Sequence, residues 1–485
     1  MAQYPFKLIY GNSFGLEEKA TELISQALSE YLDYPLPVQS AREAHSEALQ
    51  GWNLILAGTL MSNPLLRQLA EKGAFQQPMQ PEGYSLKVMQ SPFDPDAQLI
   101  LVAGYDERGV LYGAADLAAF YIPWAESTND HMHYFRKIFR DEALPEYSRV
   151  SAPAIRHRGI WTWGHVIYDY IGYIKNMARL KMNTLIVWND YVPLNIRDVI
   201  RYAHAYGVRI YLGFSWGWNE ARQENGGLNI ADEAALSKIT QGIIEKYEMD
   251  YSGLDMDGIY FQSFTETHSD QSNGIVIAER VTRLVNQTAE VLFAKKPDLT
   301  LMFGLHATSV SDKLDFIRRT DKRIVIVWED CGAFPYAYTP NRIEDFERTC
   351  AFSEKIATLR GTDDAFGTVS KGQVCLDWTT FRHMKGSFVM GCQSEEFIRR
   401  RTEEKEALWK IVDAWWMGHA GYAYDMVKLL RRCNENTLIT SLVEDGMLEA
   451  RIHLATALFA EMLWDVQSNP EVLLLKTAMR KDVFC

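Results

Sequence analysis

Short apolar runs alternate with amphipathic stretches along most of the chain, and the pattern changes character near residue 155. Before that point Lys7–Tyr10 reads as a short strand. Leu16–Leu32 follows with helical spacing that puts Leu23, Ala27 and Leu28 on one face. Leu54–Gly58 and Leu99–Gly104 are apolar enough to be buried strands, Tyr84–Met89 alternates, and Val110–Tyr121 is helical. This predicts a small α/β domain over residues 1–125. Residues 126–153 carry Pro145 and Pro153 with scattered charges and no period, which suits a connector.

From Ile155 a strand–loop–helix unit repeats. The predicted strands are Ile155–Trp163, Thr184–Asn189, Arg209–Ser215, Gly258–Thr265, Leu299–His306 and Arg323–Glu329. The helices between them are Tyr168–Leu180, Ile196–Tyr206, Glu233–Tyr247, Val276–Ala294 and Ile343–Leu359. Regular β–α alternation builds a parallel sheet, and units of this length suit a closed (β/α)8 TIM barrel, expected over 154–393. Phe366–Val369 and Phe388–Met390 are the candidates for the seventh and eighth strands. Residues 394–485 turn helical and charged, first over Glu395–Glu406 and then over Leu408–Met417, and are expected to form a helical C-terminal region.

Composition narrows the function more than the fold. A chain that is 47% hydrophobic and 23% charged can bury a large core without disulfides or metal. Its net charge of −13 offers no basic surface for nucleic acid or for an anionic membrane. No run of about 18 apolar residues occurs, so no membrane span is expected. Met1–Phe14 lacks a basic segment followed by an apolar one. The cysteines Cys331, Cys350, Cys375, Cys392, Cys433 and Cys485 form no CxxC pair, which suits free thiols in a reducing compartment. The expectation is a cytoplasmic protein with no metal and no cofactor. P-loop, HExxH and dinucleotide motifs are missing from the sequence. The charged helical C-terminus is a reasonable homodimer surface.

In a barrel the chemistry sits at the C-terminal ends of the strands. Those ends read Trp161, Trp163 and His165 on the first; Trp188, Asn189 and Asp190 on the second; and Trp216 and Asn219 on the third. The fourth carries Glu266 and His268, the fifth His306, and the sixth Trp328, Glu329 and Asp330. Flat apolar rings make platforms for sugar faces. Two carboxyl groups flanking one bond are what glycoside hydrolysis needs, because its oxocarbenium-like transition state takes a proton on one side and negative charge or activated water on the other. Glu266 is the candidate acid, since an apolar, aromatic rim would raise its pKa. Glu329 and Asp330 are adjacent, so in an extended strand only one faces the pocket. Asp330 is favoured as the base and Glu329 comes second. Asp377, in Leu376-Asp377-Trp378, is a third possibility, with Trp378 a further platform. Arg158 could hold a substrate carboxylate or hydroxyls through its planar fork.

The order of segments resembles a known group of families. Leu99–Gly104 followed by Asp106-Glu107-Arg108-Gly109-Val110-Leu111-Tyr112-Gly113 is similar to the end of the N-terminal domain shared by bacterial α-glucuronidases and β-N-acetylhexosaminidases. Ile155-Arg156-His157-Arg158-Gly159 resembles the first barrel strand of the hexosaminidases. Leu180-Lys181-Met182-Asn183 resembles the end of the first barrel helix in both families. Tyr206-Gly207-Val208 resembles the approach to the third strand of the α-glucuronidases. The resemblance covers roughly residues 85–330 and implies removal of a terminal sugar, with a Glu after strand four as general acid, the place Glu266 holds. Hexosaminidases carry an Asp directly before that Glu, where this chain has Thr265. The departure shifts the implication toward the glucuronidase-like, inverting arrangement, in which bases come from later strands such as that of Glu329 and Asp330. The expected function is an exo-acting glycosidase on a carbohydrate substrate; the alternative is a catalytically silent carbohydrate-binding barrel. Sugar, anomer and the choice of second carboxylate stay open.

Overall fold

The computed structural model describes residues 4–45, 49–128, 138–140, 143–221, 229–230, 232–265, 267, 269–272, 274–306, 310–330, 346–374 and 386–484, with the backbone alone at 219, 220 and 330. The N-terminal part is a six-stranded sheet. Its strands are β1 (Phe6–Tyr10), β2 (Val38–Ser40), β3 (Asn53–Thr59), β4 (Tyr84–Gln90), β5 (Gln98–Gly104) and β6 (Tyr147–Ser151), in the order β2-β1-β3-β5-β4-β6. The first four strands of that order pair in parallel and β4 runs antiparallel to both neighbours. Helices α1 (Gly15–Leu28), α2 (Pro64–Glu71) and α3 (Glu107–Asp116) follow β1, β3 and β5. Asn63 and Asp106 start the last two by accepting from backbone N–H groups of the first turn. The sequence reading placed β6 in a connector; in the structure it is the edge strand of this sheet.

The second part is a closed barrel of eight parallel strands: β7 (His157–Trp163), β8 (Thr184–Trp188), β9 (Arg209–Ser215), β10 (Gly258–Gln262), β11 (Thr300–His306), β12 (Ile324–Asp330), β13 (Phe366–Gln373) and β14 (Thr437–Val443). The predicted TIM barrel is therefore the observed one. One expectation changes. The eighth strand is Thr437–Val443, not Phe388–Met390, so the barrel extends well past residue 393 and takes in much of the region read as a helical appendage. Phe388 and Met390 instead brace the loop after the second strand, where Phe388 O accepts from Leu194 N and Met390 N donates to Asn195 Oδ1.

Each strand sorts its side chains by the two-residue alternation. Trp161, Trp163, Ile186, Trp188, Tyr211, Tyr260, Met302, Val327, Val369 and Leu438 fill the lumen. The intervening positions, such as Ile160, Leu185, Leu212, Phe261, Phe303 and Ile326, join the layer between strands and helices. That layer is covered by α4 (Tyr170–Arg179), α5 (Ile196–Ala205), α6 (Glu233–Asp250), α7 (Ile277–Lys295), α8 (Phe346–Ala357), the 39-residue α9 (Glu395–Cys433) and α10 (Leu454–Trp464). Two glycines make room inside: a Cβ on Gly213 would strike the Trp188 ring, and one on Gly304 would overlap Tyr260 Oη.

A buried ionic cluster joins the parts below the barrel. Lys181 Nζ lies 2.7 Å from Asp116 and 2.8 Å from Glu461, and Glu461 also pairs with Lys476 and Arg480. Lys476 belongs to α11 (Pro470–Ala478). Ala154 N and Ile155 N donate to Trp464 O and Leu463 O, so α10 ends directly against the start of the barrel. Groups so buried are tolerable only when paired; removing one partner of such a set typically costs about 3–5 kcal/mol.

Candidate functional site

The strand ends converge on Glu329. This residue is 1% exposed and sits at the end of β12 with its carboxylate turned into the barrel. Tyr260 Oη donates to Oε1 at 2.6 Å, Gln262 Nε2 donates to the same oxygen, and Lys371 Nζ lies 2.7 Å from Oε2. Burial alone would raise the pKa of this carboxyl. The Lys371 ammonium, with help from His306 and the Tyr260 hydroxyl, outweighs burial and holds it below the usual carboxylate range. Burial and the same carboxylate push the Tyr260 phenol far up, so it stays a donor. A permanent negative charge is thus fixed inside a ring of indoles. Trp161 and Trp163 meet edge to face at 5.1 Å, and Tyr260 packs edge-on against Trp161 and Trp188.

Of the residues singled out in the sequence, the barrel brings Trp161, Trp163, Trp188, Glu329 and His306 together; His306 is in register with Glu329 on the neighbouring strand. Asn189 and Asp190 lie at the end of the second strand. Asn189 Oδ1 accepts from Tyr191 N, and its buried Nδ2 has no hydrogen-bond partner among the described residues. Asp190 Oδ1 accepts from Ser215 N and Oγ at 2.8 and 2.7 Å, tying the second strand to the third. His165 is half-buried in the short turn after the first strand.

Three residues are elsewhere. Arg158 is buried at the opposite, N-terminal end of β7, where it pairs with Glu82 at 2.8 Å and donates to Ile155 O and Arg156 O. Its position is even in a strand whose odd residues face the lumen, so it points away from any substrate and fastens the N-terminal domain to the barrel. Trp216 stacks on Phe261 at 3.5 Å and Trp328 packs edge-on against Phe352 of α8, both in the outer layer. Glu266, His268 and Trp378, and with them Asp377, lie outside the described residues, as do the side chains of Asn219 and Asp330. Of the two adjacent acids on strand six, the one seen turned inward is Glu329, the second choice of the sequence reading.

Three members of the constellation were missed: Tyr260, Gln262 and Lys371. The alternation within each strand would have found them, because Tyr260 and Gln262 share a face and Lys371 shares one with Val369. Phe264, two residues before Glu266 in the chain, adopts φ 50° and packs against Trp218 at 4.9 Å. A bulky residue in the left-handed region is strained, and such strain is concentrated at functional sites. Among the described residues no cluster of three or more His, Cys, Asp or Glu is arranged to hold a metal ion, and no helix is long and apolar enough to cross a membrane.

No family model matches the chain, and no curated protein matches it by sequence. Solved structures do. The structure of CpGH84B superposes with a TM-score of 0.53 at 12% identity, over 98% of this chain and 71% of the other. A family GH115 4-O-methyl-α-glucuronidase, BtGH115A, gives 0.52 at 13% identity over 96% of this chain, which spans 57% of that protein. A β-N-acetylhexosaminidase from Bacteroides fragilis gives 0.50 at 11% identity over 96% and 88%. The likeness extends over nearly the whole chain, N-terminal domain included. It establishes the fold, one shared with an α-glucuronidase and a β-N-acetylhexosaminidase, the two families the sequence motifs resemble.

Proposed function

We propose that the chain is an exo-acting glycoside hydrolase with Glu266 as general acid and a strand-six carboxylate as its ionised partner. The observation that carries this reading is the lumen-facing Glu329, held ionised by Lys371 among Trp161, Trp163 and Trp188. Gln262, four residues before Glu266 in the chain, donates to that carboxylate. In the reaction Glu266 gives its proton to the glycosidic oxygen as the bond to the anomeric carbon breaks. Water adds to that carbon, and its proton passes to the partner carboxylate. Thr265, in the place where hexosaminidases carry Asp, favours direct attack by water over help from a substrate acetamido group.

Glu266→Gln is expected to bind sugar and to lose turnover by about 10²–10⁴ on substrates with poor leaving groups. Wild-type turnover in that variant ends the assignment. Glu329→Gln should lose a comparable factor; if Asp330→Asn or Asp377→Asn does so instead, the partner is reassigned. A second reading, a catalytically silent sugar-binding barrel, draws on the fact that both oxygens of Glu329 are already engaged by protein donors. Sugar binding by calorimetry with no hydrolysis across a broad panel of aryl glycosides would select it.

A further inference from the structure

At the C-terminal edge of the N-terminal sheet, a cavity of about 770 Å³ opens where β1, β3 and β5 end and α1, α2 and α3 begin. The chain leaves β1 for β2 on one side and then crosses to β3 on the other, so the topological switch point of the sheet lies there. Crevices at such points, outside the carboxyl ends of the strands, are where open α/β sheets bind ligands. The volume is in the range of small-molecule sites.

Its lining is unusual in two ways. Phe14, Met61, Met79 and Tyr105 all border it and are 63%, 92%, 80% and 52% exposed. Large apolar side chains so exposed and gathered around one opening mark a binding surface rather than scattered surface residues. On the floor lies Glu17, 2% exposed, beside Ser62 and Thr59; its Oε2 accepts from Asn12 N at 2.7 Å, while its buried Oε1 has no well-aligned donor among the described residues. An acceptor buried without a donor is costly, and a ligand hydroxyl would supply one. Burial also raises the pKa of this carboxyl.

The helix starts here are already filled by the protein's own groups. Asn63 Oδ1 caps α2, Asp106 caps α3, and Glu107 Oε2 accepts from Leu16 N at the start of α1. An anion would find those donors taken and would face Glu17 and Glu107; Arg42, which also borders the cavity, is exposed, so its charge is screened by solvent. The site therefore suits a neutral ligand that is rich in hydroxyl donors and has an apolar face. We infer that this cavity is a carbohydrate-binding site separate from the barrel lumen, with Phe14 and Tyr105 as platforms for sugar faces and Glu17 as hydroxyl acceptor. The inference does not depend on the chemistry proposed for the barrel. The cavity is also remote from the barrel mouth: Arg108, at the start of α3, donates to Gly207 O, just before the N-terminal end of β9.

The test uses the full chain and a panel of neutral tri- and tetrasaccharides of gluco, manno, xylo and galacto configuration, followed by calorimetry and saturation-transfer NMR. At least one should bind wild type and Glu329→Gln alike. Its affinity should fall at least tenfold in Phe14→Ala/Tyr105→Ala, whose replaced side chains are exposed and should leave folding intact. Glu17→Gln, checked by circular dichroism, should weaken the same ligand. Binding that survives the double replacement but disappears in Glu329→Gln belongs to the barrel and overturns the inference. So does a panel in which no neutral oligosaccharide binds, or in which only basic peptides do.

Discussion

Replacing Lys371 by Met tests the electrostatic design of the lumen, because it removes the ammonium that holds Glu329 ionised and keeps an apolar stem. The two side chains are 4% and 2% exposed and 2.7 Å apart. At an effective dielectric of about 20 their attraction is roughly 6 kcal/mol, much of which offsets the desolvation of both ions. Stranding one member of such a pair typically costs about 3–5 kcal/mol. Lys371→Met should therefore lower the urea midpoint by that equivalent at pH 7.5. Glu329→Gln/Lys371→Met should recover part of it, with a coupling of about 2–3 kcal/mol. The pH dependence should change sign. In wild type the depressed pKa of Glu329 contributes stability that is present above the unfolded carboxylate value and lost as pH falls through the folded one. In Lys371→Met only His306 and the hydrogen bonds of Tyr260 and Gln262 oppose burial, so the pKa of the carboxyl is expected to rise above the unfolded value, and the penalty should shrink as pH falls from 7.5 toward 5. Circular dichroism and tryptophan fluorescence must give coincident transitions for these energies to be read. A penalty below about 1 kcal/mol, or one equal at both pH values, refutes the reasoning.

Two further outcomes are expected. Gly304→Ala should cost about 1–3 kcal/mol by driving a methyl into Tyr260 Oη, and adding Tyr260→Phe should relieve part of that loss in thermal melts. If the second change makes matters worse, the overlap is not the cause. His157, whose Nδ1 meets Arg209 at 2.7 Å, has its pKa lowered to about 3 by burial and by Arg209 and Arg156. It stays neutral when folded but takes up a proton when unfolded below about pH 6.5, so stability should drop by up to about 2–3 kcal/mol between pH 6.5 and 4.5. The drop should flatten in His157→Gln, and an NMR titration that places the folded pKa near 6 would remove the basis for it.

The fold was legible where period-two runs alternate with helical ones. The strands β7–β13 start within one or two residues of the sequence reading, because each is bounded by a polar loop. One barrel strand escaped. The strand β14 hides behind α9, whose charged first half resembles a solvent-facing appendage and separates the apolar run Thr437–Val443 from the strand–helix repeat. Listing residues by their closeness to a strand end also mixed the two faces of the wall. Trp161 and Trp188 line the lumen, whereas Trp216 and Trp328 face the helices. Lys371 sits in Ser370-Lys371-Gly372, a polar run that announces no strand at all. Its facing follows once the alternation of Val369 is carried past the predicted end of strand seven, and its partner follows from the pairing that sets that strand beside Glu329.

The barrel seam has a consequence for biosynthesis. Because β14 is inserted between β7 and β13, the ring cannot shut until the ribosome has made the last of its staves. Until then the nascent chain carries a seven-stranded sheet with two raw edges, each offering unpaired backbone groups to a neighbouring polypeptide. Chaperone demand during translation should therefore peak while α9 is being made, and release should come with the few residues that follow it.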